Sequence, residues 1–133
     1  MKRLWKDFSV ISGLVLFFDL IWIQLVMKQK YVDLIPKIQR MPMKVKYIPA
    51  VLSYLTIVLP ILLFSIPNVR ASQRLTDALF FGGVLGLCMY GMFSFTNYAL
   101  IENWTLEVVL LDTLWGGVLY TLVTYLGSFL INR

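Results

Sequence analysis

An all-α membrane protein, a four-helix transmembrane bundle with short loops, is the fold class this sequence predicts, and three observations predict it. Of the 133 residues, 59% are apolar, against about 45–50% in soluble domains. The charged residues fall into blocks that leave four apolar windows, 8–27, 47–66, 78–101 and 108–131, in which only Asp19 and Asp112 carry charge. Each window holds about 20 residues or slightly more, enough at ~1.5 Å per residue to cross ~30 Å of hydrocarbon as a helix. Helices apolar nearly all round have no polar face to turn to water, which argues against a soluble bundle. One transmembrane domain over residues 1–133 accounts for the length.

The first window follows Met1-Lys2-Arg3-Leu4-Trp5-Lys6, a basic start of the secretory-signal kind. No small-residue cleavage pattern follows and the run is too long, so it reads as the first span. The link Lys28–Lys46 mixes Leu34, Ile35, Ile38, Met41 and Met43 with lysines, and Pro36 and Pro42 break any long helix there. Two readings fit it equally: a segment lying on the membrane with its lysines toward anionic lipid headgroups, or a solvated loop. In the second window Pro60 strands the Thr56 carbonyl and predicts a kink. The third window runs Ala78-x3-Gly82-x3-Gly86, a ladder of small residues that lets another helix approach closely, with Gly116-Gly117 of the fourth as its counterpart. Trp5, Tyr31, Tyr47 and Trp104 fall where interfacial rings gather and need no other role. The sequon Asn103-Trp104-Thr105 sits in a link squeezed between two spans and reads as chance.

Four spans put both termini on one side, and the basic residues then divide six and six. The positive-inside rule favours neither orientation. Histidine is absent and Cys88 is the single cysteine. That excludes a disulfide within the chain, a Cys/His zinc site and the histidine-activated nucleophiles. The net charge of +5 borders the spans instead of forming a soluble patch, so lipid headgroups are the expected partner and nucleic acid is not. No metal and no cofactor is expected.

The two intramembrane acids are functional-site candidates by default, because a carboxylate in hydrocarbon costs several kcal/mol even on the lowest scales. They carry the same local pattern, Asp19-x-x-Trp22 and Asp112-x-x-Trp115. Counted inward from the side of the first link, Asp19 lies ~12 Å deep, Tyr54 ~10 Å, and Asn97 and Asp112 ~6 Å. Helical spacing places Gly83, Gly86, Tyr90, Ser94 and Asn97 on one stripe, Asp112, Trp115, Gly116 and Tyr120 on another, and Tyr47, Val51, Tyr54 and Val58 on a third. With all stripes inward, the bundle encloses a polar cavity opening toward the basic link. An indole one turn beyond each acid offers an N–H donor and a cation-holding face. The repeat of the motif on antiparallel spans also has the form of an inverted repeat.

The run Gly86…Tyr90-x3-Ser94-x-Thr96-Asn97, then Trp104, then Asp112-x2-Trp115-Gly116, together with Asp19-x2-Trp22 and Tyr31, resembles a family of small bacterial and viral four-span membrane proteins of unknown function, DUF2177. The resemblance covers nearly the whole chain. It implies a four-helix membrane fold, in a bacterial inner membrane or a viral or host internal membrane, and no activity. Family members usually have Asp where this chain has Ser94, which weakens any reading that needs three carboxylates, such as a hard-metal site.

Three functions follow from the residues. The first is an intramembrane site that binds or translocates a proton, small cation or cationic solute, with Asp19 and Asp112 bearing charge and Trp22, Tyr54, Tyr90, Ser94, Asn97 and Trp115 along the ligand or ion pathway. Four spans are few for such a path, so this reading expects a homo-oligomer, with the glycine ladder as its contact. The second is a membrane-embedded enzyme acting on a lipid or isoprenoid headgroup, one Asp as base, the other as acid or orienting group, and the lysine-rich link gripping an anionic headgroup, although no activated nucleophile or metal motif is visible. The third is a non-catalytic membrane subunit or assembly factor.

Overall fold

The structure, a computed structural model, describes residues 2–39 and 46–130. Met41, Pro42 and Met43 of the first link, and Ile131 and Arg133, lie outside the described residues. Four helices form an all-α bundle: α1 (residues 2–39), α2 (Tyr47–Asn68), α3 (Ala71–Leu100) and α4 (Leu106–Leu130). Each is long and apolar enough to cross a membrane. No strand occurs among the described residues.

The first helix does not stop at the end of its apolar window. Over Ile23–Met27 its turn widens to i→i+5 bonding, and regular helix resumes over Lys28–Gln39. The described part of the first link is therefore a helix and not a loop, and Pro36 is carried inside it. The reason is packing. Met27 and Leu34 are buried with Trp104, Val108 and Val109 at the start of α4, and Tyr31 and Ile35 close around them. Apolar side chains that had read as lipid-facing thus find a protein neighbour. Lys30 pairs with Glu107, and the Asn103 side-chain amide donates to the Lys37 carbonyl at 3.2 Å, so the extension is tied to α4 and to the loop before it. The stretch Trp5–Lys37 has 33 residues, about 50 Å at ~1.5 Å per residue and well beyond a ~30 Å hydrocarbon layer.

The glycine ladder meets the counterpart foreseen for it. A Cβ on Gly82 would stand 2.7 Å from the Tyr120 carbonyl oxygen, and one on Gly117 would stand 2.8 Å from Leu87 Cδ2. Between these, Gly86 and Gly116 bring the backbones of α3 and α4 together, with no space for a side chain on either. The ladder is consumed inside the chain, which removes it as the contact with a second copy. Along its first two rungs the helical turn of α3 widens, over Ala78–Val84.

Around α4 the remaining helices close at one end. Ile11 and Val15 of α1, Val58, Ile61 and Ile66 of α2, and Leu119, Tyr120 and Val123 of α4 are buried together. Immediately after Pro60 the turn of α2 widens over Ile61–Ser65, the local adjustment expected where a backbone donor is lost. The second link is pinned by charge. Asp77 accepts bonds from the Arg70 backbone N–H at 2.9 Å, from Nε at 2.9 Å and from Nη2 at 3.1 Å. Arg74 Nη1 donates to the Ser128 carbonyl at 2.7 Å and to its Oγ at 2.9 Å, and its guanidinium lies 4.1 Å over the Phe129 ring.

The first half of α2 behaves differently. Among the described residues it packs chiefly on α1, touches α4 where the Tyr120 hydroxyl donates to the Ile57 carbonyl, and makes little contact with the second half of α3. Tyr47 is 80% exposed and Val51 61% exposed, so the inward stripe foreseen for this helix begins only at Tyr54. Among the described residues nothing beyond α1 covers its first two turns, where Tyr47, Ile48, Val51 and Leu52 are exposed.

Candidate functional site

Between the two apolar clusters lies a layer of polar and aromatic side chains built around Asp19 and Asp112. Both acids are buried. Asp19, on α1, accepts two bonds from two other helices: Trp115 Nε1 of α4 donates to its Oδ1 at 3.1 Å, and the Tyr54 hydroxyl of α2 donates to its Oδ2 at 3.0 Å. Asp112, on α4, accepts a bond from the Tyr31 hydroxyl on the extension of α1. The two carboxyls lie within electrostatic reach of each other, and Tyr90 lies within reach of both. Every donor comes from a helix other than the acid's own, so the bonds that solvate the carboxyls also set the helix packing.

The two Asp-x-x-Trp motifs interlock. Trp22 stacks on Trp115 with ring centroids 4.7 Å apart and planes 2° from parallel, while the Trp115 N–H reaches across to Asp19. The exchange is one-sided. Trp22 Nε1 is buried with no hydrogen-bond partner among the described residues, and Asp112 takes Tyr31 in its place. The inverted-repeat resemblance thus ends at the side chains.

The remaining sequence-designated residues divide. Tyr90 packs over Gly116, stands edge-on to Tyr120 at 6.3 Å, and lies beside the acids. Ser94 is fully buried and accepts from Trp104 Nε1 at 3.5 Å, and no described bond joins it to either carboxyl. Asn97 is half-buried, and no described bond joins it to either carboxyl. Trp104, read from sequence as an interfacial ring, is 5% exposed and belongs to the core at the start of α4. Tyr31 was read the same way and is instead the partner of Asp112. The signal for it is the spacing Met27, Tyr31, Leu34, which carries a helical face through the link. Asp77 went unread because it stands one residue outside an apolar window.

Beside this layer is a cavity of about 300 Å³. Ser53, Thr56 and Ile57 of α2 form one wall, Met89, Tyr90 and Phe93 of α3 form the other, and Tyr120 of α4 stands behind. It occupies the gap where α2 and α3 part. Of the residues foreseen around one polar enclosure, Tyr90 lines this cavity, whereas Asp19 and Asp112 lie in the hydrogen-bonded layer beside it. No group of three His, Cys, Asp or Glu able to hold a metal ion occurs among the described residues.

The sequence profile of a family described as a predicted membrane protein, DUF2177, matches residues 5–129. No curated protein and no solved structure matches the chain.

Proposed function

The chain belongs to this family of predicted membrane proteins, and from that premise we propose that it binds or translocates a proton, small cation or cationic solute at Asp19 and Asp112. One observation carries the reading: two buried carboxyls from different helices stand within electrostatic reach of each other. Two carboxylates sharing one buried layer repel, because a medium of low dielectric screens charge weakly. The pair is relieved by a shared proton or by a cation between the helices. The bonds from Trp115, Tyr54 and Tyr31 hold the acids in place without neutralising them. The stacked indoles of Trp22 and Trp115 exclude water and offer a ring face to a cation.

The exposed lysines Lys28, Lys37 and Lys46 suit anionic headgroups on the side of the first link. The membrane is a bacterial inner membrane or a viral or host internal one. A homo-oligomer in this reading uses an outer face, since the glycine ladder is taken.

Vesicles carrying the purified protein and an internal pH dye test the proposal. Wild-type protein is expected to pass protons or small monovalent cations, and Asp19→Asn and Asp112→Asn are each expected to stop that movement while remaining folded. Flux in the double variant equal to wild type overturns it.

A further inference from the structure

We propose that the gap between α2 and α3 is a lateral doorway holding the hydrocarbon tail of a cationic amphiphile, whose amine head turns inward to Asp19 and Asp112. This rests on the reading of the acids as a cation site and adds the chemistry and route of the ligand.

Among the described residues, the acid layer is covered toward both links and adjoins a gap on its lateral side. One apolar cluster, around Ile11, Ile61 and Leu119, closes it toward the second link. The other, around Met27, Leu34 and Trp104, closes it toward the first. Toward the bilayer it borders the 300 Å³ cavity, a volume at the lower end of small-molecule pockets. The first half of α2 and the second half of α3 approach each other little, and the cavity lies in the gap between their walls. At this depth its surroundings are acyl chains, and whatever enters from the side enters from lipid.

Its lining fits a tail. The hydroxyls of Ser53 and Thr56 are spent on the carbonyls of Ala50 and Ser53, at 2.7 and 2.6 Å, and the Tyr120 hydroxyl is spent on the Ile57 carbonyl at 3.0 Å. What these side chains turn to the cavity is mostly carbon. At the inner end the chemistry changes. Tyr54, next in sequence to Ser53, holds Asp19. Tyr90 forms part of the wall and lies within electrostatic reach of both carboxyls. A ligand there meets apolar walls along its length and two acids with stacked indoles at its head. That sequence of environments selects a positive head and rejects a phosphate or carboxylate one.

The test uses the purified full chain in dodecyl maltoside micelles, with a dodecylamine carrying a diazirine in its chain as photoaffinity probe. Irradiation is expected to label residues 53–57 and 89–93. An excess of dodecyltrimethylammonium is expected to lower that labelling about tenfold, and dodecanol at equal concentration is expected to lower it far less. In Asp19→Asn/Asp112→Asn the amine should lose its advantage over the alcohol, and Ser53→Trp, which fills the gap, should abolish labelling. Labelling outside both segments, or equal competition by amine and alcohol in wild type, overturns the doorway. Cation flux in vesicles separates the two failures. Flux that depends on the acids without labelling in the gap removes the doorway and leaves the cation site, whereas loss of acid-dependent flux removes both.

Discussion

At the end of the bundle nearest the second link, four helices close on one another; at the end nearest the first, α2 stands away from α3 and polar side chains occupy the level where they part. The closed end is built from the smallest and the most branched residues: the glycines of α3 and α4 in backbone contact, and Ile11, Val15, Ile61 and Ile66 filling around them. The open end is built from long side chains with a polar tip, Tyr31, Tyr54, Tyr90, Trp115 and two acids. The difference is one of driving force. Lipid tails are as apolar as leucine, so helices in a membrane gain little from apolar burial and must gain from close packing or from hydrogen bonds. Backbone contact is confined to the first end, where Arg74 and Ser128 also bond across helices, and the bonds to the acids belong to the second. Bonds that bridge helices at a distance leave space beside them, and the cavity lies there.

The comparison is sharpened most by Gly86→Leu. A side chain there has to displace the backbone of α4 at Gly116, so the cost should exceed the ~1–3 kcal/mol of ordinary overpacking. The expected result is loss of the folded monomer on size exclusion in detergent. Retention of a monomer with wild-type thermal stability would mean that the closed end is not held by backbone contact.

Next in size is Tyr31→Phe, which removes the one described donor to Asp112 and keeps the ring against Trp104. Intramembrane hydrogen bonds are worth about 0.6 kcal/mol on average and up to ~1.7. The upper part of that range is expected, because a buried carboxyl is left without its donor. Thermal unfolding in detergent should shift down by a few degrees, well short of the loss at Gly86. An unchanged midpoint would show that the extension of α1 is held by its apolar contacts alone.

The two ends also differ in how far they can be read from sequence. Apolar run length and the isolated acids give the four helices, and small-residue spacing gives the Gly82, Gly86 and Gly116 contact, because a gap without a Cβ has only one use in a tight bundle. Asp19, Trp22, Tyr90, Asp112 and Trp115 come together as their helical spacing indicates. What stays hidden depends on partners distant in the chain. Two prolines near the link mark a break, yet packing of Met27 and Leu34 on α4 keeps the helix going through Pro36, and only that continuity brings Tyr31 to Asp112. Ser94 shares the stripe of Tyr90 but meets Trp104, whose burial depends on the same extension. The splay of α2 from α3 has no local signal at all. Its first turns are as apolar as any other span, and apolar residues facing lipid and apolar residues facing a helix have the same composition.

The smallest expected effect makes that last point measurable. Val51 lies on the stripe that helical spacing turns inward with Tyr54 and Val58, yet it is 61% exposed, whereas Val58 is 1% exposed. If the first half of α2 stands clear of α3, Val51→Ala removes no protein contact. In a membrane it also gives up no burial, since lipid covers the position before and after the change. The stability of the variant should fall within ~0.5 kcal/mol of wild type, the range of substitutions away from packed features. Val58→Ala, two turns further along the same stripe, deletes two buried methyl groups from the cluster around Ile61 and Leu119 and should cost clearly more. Equal losses at the two positions would mean that α2 packs along its whole length, and the gap between α2 and α3 would then have to be closed.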